Sequence, residues 1–139
     1  MVAWHEIEAD APEFAARVRA LFQARKHKTM ATLRADGSPR ISGIETQIEK
    51  QVTFGSMAGS RKLADLQRDP RLALHSPSVD PPEDDPGAWV GEAKISGRAV
   101  PTANGFSVDI SEVALTYLDH GLVIESWHPG RGHIKRVRD

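Results

Sequence analysis

The sequence predicts a mainly β protein: an antiparallel β-barrel of six to seven strands, with an N-terminal helix and one short helix between strands. Three observations predict it. Short β-prone runs recur along most of the chain, separated by the turn signals Asp36-Gly37-Ser38-Pro39, Asp119-His120-Gly121 and His128-Pro129-Gly130-Arg131-Gly132. The strands follow one another in mostly hairpin order, which favours antiparallel pairing over a doubly wound sheet. Only two segments carry a helical period, and neither a G-x-G-x-x-G turn nor a Walker loop interrupts the pattern. A chain of 139 residues forms one domain on this reading.

From the N-terminus, residues Asp10 to Lys26 are expected to form the first helix. Asp10 is the candidate N-cap with Glu13 as its capping-box partner, and Phe14, Val18, Leu21 and Phe22 fall on one apolar stripe. His27 to Ala35 switches to period two, and Arg40 to Lys50 returns after the Gly-Ser-Pro turn as a second strand. Its apolar phase slips between Ile41 and Ile44, with Gly43 at the slip. A glycine there suits a bulge, a flat ligand lying on the backbone, or a simple barrel bend. Gln51 to Met57 is the third strand, and Arg71 to Ser76 the fourth. Between them Ser60 opens a short helix that ends at Asp69-Pro70. The segment Ser78 to Gly87 is Pro-rich and acidic, hence an exposed loop. Trp89 to Val100 is the fifth strand, Pro101 to Gly105 a loop, and Phe106 to Leu118 and Gly121 to Val137 the last strands.

Composition narrows function by exclusion. The net charge is −1, with 18 basic and 19 acidic residues, so no basic footprint for nucleic acid or an anionic membrane exists. No apolar run approaches the ~20 residues that span a bilayer. The first ten residues lack a basic segment followed by an apolar one, so no signal peptide is expected and the cytoplasm is the default location. There is no cysteine, which removes disulfides, thiolate metal sites and cysteine nucleophiles.

The stretch Gly55 to Pro70 holds the sharpest chemical signal. Arg61 and Lys62 stand in the first turn of the Ser60 helix, where the macrodipole favours anions over cations. An anion resolves that conflict: free N–H groups, a hydroxyl, a guanidinium and an ammonium then converge on one phosphate. A capped surface helix with solvated cations is the alternative. Elsewhere the residues are quieter. Histidines 5, 27, 75, 120, 128 and 133 show no metal-type pairing on a helix face. No G-x-S-x-G elbow is present, and Glu45 and Glu49 suit a solvated face better than an acid/base pair. Trp89 and Trp127 suit packing better than a ligand wall. A phosphate site without hydrolytic machinery points to a borrowed, phosphorylated cofactor.

From about Lys28 onward the chain resembles the flavin- and deazaflavin-dependent split β-barrel proteins related to pyridoxamine 5′-phosphate oxidase. The carriers are MATLRADGSPRISG (30–43), VTFGSMAGSRKLADLQRDPRLAL (52–74), EAKISGRAV (92–100) and VIESWHPGRG (123–132), of which Ser60-Arg61-Lys62 with Leu66 is the most specific. The resemblance implies a split antiparallel barrel in which Arg61 and Lys62 grip the cofactor phosphate beside Ser60 and Ser56. It implies that the strand after the turn cradles the ring through Arg40, Ser42, Gly43, Ile44 and Gln47, with Gly55 at a cofactor-touching position. It also implies a homodimer with the cofactor in the interface, where Glu92, Trp127 and Arg131 reach it, along with His128.

Departures from the family pattern refine the expectation. True pyridoxamine-phosphate oxidases carry R-x-V-L-L-K where this chain has Ser42-Gly43-Ile44-Glu45-Thr46-Gln47, and their C-terminal substrate segment has no counterpart here. The expected activity is therefore hydride transfer between a flavin-type cofactor and a planar conjugated small molecule, not pyridoxamine phosphate oxidation. Loss of the second basic pair favours coenzyme F420, with FMN the alternative. A non-catalytic barrel binding flavin, F420, haem or another tetrapyrrole is the rival class, and a structural barrel with an empty site is a third.

Overall fold

The computed structural model describes residues 1–55 and 58–138. Nine strands occur among these residues: β1 (His27–Leu33), β2 (Pro39–Glu45), β3 (Gln47–Ile48), β4 (Val52–Gly55), β5 (Arg71–His75), β6 (Glu92–Thr102), β7 (Gly105–Leu118), β8 (Leu122–His128) and β9 (Gly132–Arg138). The helices are α1 (Trp4–Asp10), α2 (Pro12–Gln23) and α3 (Arg61–Arg68), with a 3-10 turn at Pro86–Ala88. The sheet order is β2-β1-β5-β6-β7-β4-β3, with β8 on β7 and β9 on β8, and every pair is antiparallel. The mainly β, antiparallel architecture is as the sequence predicts. Strand β7 forks the sheet: its first residues pair with β4, and its last with β8.

Period two decides which side chains enter the core. On β1 the inward set is Lys28, Met30 and Thr32; on β6 it is Ala93, Ile95, Gly97 and Ala99. These meet Val108, Ile110, Val113 and Leu115 of β7 and the apolar stripes of α1 and α2, including Trp4, Ile7, Phe14, Val18 and Phe22, in one core.

The N-terminal region departs from the expected single helix. Asp10 ends α1 instead of capping a longer one, and Ala11 breaks the chain at φ −141° and ψ 71°. Pro12 explains this: it disfavours α geometry in the residue before it and suits the first position of a helix. Helix α1 is closed at its start by Glu6, whose carboxylate accepts the Ala3 N–H at 2.7 Å.

Three further expectations are corrected. Nine strands occur among the described residues where six to seven were expected, because the second predicted strand divides into β2 and β3; the turn signal at 128–132 falls where expected, between β8 and β9. Trp89 lies before β6, and the supposed loop 101–105 is a tight β6–β7 hairpin, paired to Thr102 and Gly105. Gly43 is no bulge: β2 pairs with β1 in unbroken register, and the phase slip arises because Ile41 points outward, 75% exposed, while Ile44 points in. The β6–β7 register instead shifts between Ser96 and Gly97, where a Cβ on Gly97 would lie 2.1 Å from the Asp109 carbonyl oxygen.

Candidate functional site

Helix α3 begins as its sequence suggests. Ser60 is extended, and its Oγ accepts the Leu63 N–H at 3.2 Å. Among the described residues the N–H groups of Arg61 and Lys62 have no acceptor, as expected for a helix's first turn. The Lys62 ammonium donates to the Gly43 carbonyl oxygen at 2.7 Å, which binds the helix start to β2. Arg61 is exposed and makes no ion pair among the described residues.

The rest of α3 is fastened by Asp65. This carboxylate is 2% exposed and accepts from Arg40 Nε at 2.7 Å, Thr32 Oγ1 at 2.7 Å and Arg68 Nη2 at 3.0 Å. Those donors, Arg40 foremost, hold its pKa far below the ordinary carboxylate range against the opposing effect of burial. Arg68 adds a bond to the Leu33 carbonyl oxygen at 2.7 Å. Arg40 was expected in the ring cradle. The structure turns its Nε to Asp65 instead, so Arg40 positions α3 against β1 and β2.

A small apolar recess lies beside the helix start, lined by Ile44, Phe54, Gly55, Ser60, Lys62 and Phe106 among others. Phe54 and Phe106 stack at 5.3 Å. The same Phe54, Gly55 and Phe106 continue into a cleft of about 700 Å³ that reaches Gln47, Thr46 and Lys28. Ile44, Gln47, Gly55, Ser60 and Lys62 are thus brought together around connected spaces, and Gly43 is tied to them through Lys62. Two hydroxyls of this region, Ser42 Oγ and Thr46 Oγ1, are buried and have no hydrogen-bond partner among the described residues; Thr46 lines the cleft, whereas Ser42 stands opposite the buried Met30. Buried polar groups are ordinarily paired, so Thr46 marks a place that a ligand's polar atom would satisfy. The residues present therefore fit a phosphorylated, planar group: N–H groups without acceptors and two cations at one end, an aromatic-walled cleft and an unspent hydroxyl on it. Ser56 lies outside the described residues.

The remaining expected residues do not line this cleft. Glu92 is on the outer face of the sheet, paired with His75 at 2.9 Å and Lys94 at 3.3 Å. Burial opposes its ionisation, but these two partners leave its pKa below the usual value. Arg131 donates to Ser126 Oγ at 2.9 Å and His128 pairs with Glu112, also on the outer side. Trp127 takes the packing role that its residue type suggested. Its ring is buried on the inner face and its Nε1 donates to Asp10 at 2.8 Å, so it packs β8 against α1 and touches no open surface of the site.

Sequence reasoning missed Asp65 and Lys28. Asp65 sits at i+3 and i+4 from Lys62 and Arg61, which reads as an ordinary helical ion pair; only the fold brings Arg40 and Thr32 to it. Lys28 shares its strand face with Met30, and that alternation was a usable sign that it points inward.

The model of the family described as pyridoxamine 5′-phosphate oxidase matches residues 14–117. A search of curated proteins finds no match. Among solved structures, PhzG of Burkholderia lata, in complex with tetrahydrophenazine-1-carboxylic acid, is 15% identical, with 93% of this chain and 87% of that one covered at a TM-score of 0.63. A pyridoxamine 5′-phosphate oxidase-related, FMN binding protein of Nostoc punctiforme is 12% identical, with 100% and 98% covered at 0.62. A haem binding protein of Mycobacterium smegmatis is 18% identical, with 87% and 56% covered at 0.58. At these identities the three share a fold with this chain.

Proposed function

Since the chain belongs to the pyridoxamine 5′-phosphate oxidase family, we propose that it is a homodimeric oxidoreductase using a phosphorylated flavin-type cofactor, F420 in preference to FMN. The observation that carries this reading is the start of α3. Two N–H groups without an acceptor among the described residues, and two cations, stand there beside a recess that continues into an aromatic-walled cleft bearing the unpaired Thr46 hydroxyl. Ser60, Arg61 and Lys62 would hold the phosphate with Ser56, and Ser42, Gly43, Ile44, Gln47 and Gly55 would face the ring system. When bound, the cofactor supplies hydride transfer to or from a planar conjugated small molecule. The chain's own residues bind and orient it, and Phe54 with Phe106 excludes water from one wall.

Preference for F420 rests on Ser42 and Gln47, which stand where the oxidases carry Arg and Lys. For the same reason oxidation of pyridoxamine phosphate is not proposed. Glu92 and Arg131 lie on the outer sheet face and would meet a cofactor held by a second copy. Among the described residues no helix is long and apolar enough to cross a membrane, and a cytoplasmic location is part of this proposal.

Titration of the protein with FMN, F420 and haem, followed by fluorescence or absorbance, tests the reading. Saturable binding of F420 or FMN is expected. Replacing both Arg61 and Lys62 by alanine should cost ~2–4 kcal/mol of that affinity, the range for charge-assisted phosphate contacts. Binding of haem alone would move the protein to the non-catalytic class, and binding of none would sink the proposal.

A further inference from the structure

The end of the cleft remote from α3 holds donors that no interaction among the described residues uses. Lys28 is 8% exposed, and its ammonium makes one bond, to the Lys26 carbonyl oxygen at 2.9 Å. An ammonium offers three donors. Glu45 forms no salt bridge with it; that carboxylate is 56% exposed and engages Lys26 and His27. Burial lowers the Lys28 pKa, with Glu45 partly offsetting it, as expected for an incompletely paired cation.

Lys28, Thr46 and Gln47 also border an adjoining hollow of about 370 Å³, to which Arg19 contributes. Arg19 binds Glu8 through Nη1 and the Ile48 carbonyl oxygen through Nη2, but among the described residues its buried Nε has no acceptor. Thr46 Oγ1 is likewise buried and unpartnered. Three side chains around one junction thus carry unspent donors. Leaving such groups unsatisfied is costly, and an oxyanion satisfies them together. Glu49 is the carboxylate on this hollow's rim, in an exposed turn.

We propose that Lys28, Arg19 and Thr46 form a carboxylate-binding subsite, so that the substrate is a planar carboxylic acid whose acid group sits at this end of the cleft. The proposal rests on the cofactor reading for the identity of the cleft, but not for the binding of the anion. It requires no covalent step from Lys28, only charge and hydrogen bonding.

The test compares benzoate with neutral benzamide, titrated calorimetrically into the whole protein with and without saturating FMN. Benzoate should bind at least tenfold more tightly than benzamide. Lys28→Met, which replaces a buried cation by an apolar chain of similar length, should erase that preference and leave FMN affinity within twofold. Thr46→Val should reduce benzoate affinity severalfold by removing one donor at nearly constant shape. An unchanged preference in Lys28→Met overturns the proposal. So does equal loss of both probes, or a matching loss of FMN, since either shows a shape or cofactor role. If FMN fails to bind while the benzoate preference persists and depends on Lys28, the cofactor reading falls and this one stands.

Discussion

Arg61 and Lys62 are neighbours in sequence with different freedom. Lys62 is tied to the Gly43 carbonyl oxygen, whereas Arg61 is exposed with no ion-pair partner among the described residues. Arg61→Ala should leave the urea midpoint almost unchanged, within ~0.5 kcal/mol as for most surface substitutions, yet weaken cofactor binding. Lys62→Ala should lower both, because it also frees the start of α3 from β2. Paired urea melts and FMN or F420 titrations separate the two. Asp65 calls for a pH experiment. Its folded pKa is depressed by Arg40, Thr32 and Arg68, so its contribution to stability is present above the unfolded value of about 4 and is lost as pH falls through the folded one. Asp65→Asn should therefore melt at lower urea than the wild type at pH 7, and the two midpoints should converge as pH drops below about 4. Parallel curves across that window would show that the carboxylate's charge is not what fastens the helix.

At the scale of elements, the turn signals and period-two runs made most strands legible, and Ser60 with Pro70 bracketed α3 closely. The misses share a cause: local pattern does not say what lies opposite. Helix α1 is short, and its Trp4 and Ile7 show their purpose only when packed in the core. Asp10 looks like a cap in sequence, but its partner Trp127 is 117 residues away. Gly43 and Gly97 are both strand glycines; sequence alone offered a bulge, a flat ligand or a bend at Gly43, and the register shift lies at Gly97. A Cβ on Gly43 would meet nothing within 4 Å, whereas one on Gly97 would collide with the Asp109 carbonyl oxygen and Val108. Gly97→Ala should then cost ~1–3 kcal/mol, the usual penalty for forcing extra volume into a packed site. Gly43→Ala should stay within ~0.5 kcal/mol of wild type. Chemical denaturation of the two variants in parallel checks the contrast, and equal costs would place the bend elsewhere.

The whole molecule presents an outer sheet face that the described residues do not cover. Ala31, Ala73, Ala114 and Ser126 are only half-buried there, and Ile41 stands 75% exposed at one side. Glu92 with His75, and Arg131 with Ser126, sit on this same face and not around the cleft. That separation was not legible in sequence, because a single chain's motifs do not reveal which copy completes a site. If a second copy packs here, it brings Glu92 and Arg131 toward the neighbouring cofactor and buries the small-residue surface. A stable contact of this kind needs on the order of 800 Å² per partner, so one long charged side chain at its centre should break it. Ala114 is suitable, since it lies between Lys94 of β6 and Ser126 of β8 and points outward. The wild type should sediment at twice its 15.2 kDa chain mass, and Ala114→Arg at once that mass with an unchanged circular dichroism spectrum. Cofactor affinity should fall at least tenfold with the dimer, about 1.4 kcal/mol. A monomeric wild type, or an Ala114→Arg monomer that binds cofactor as tightly as before, would mean that one chain holds the whole site and that Glu92 and Arg131 serve the sheet alone.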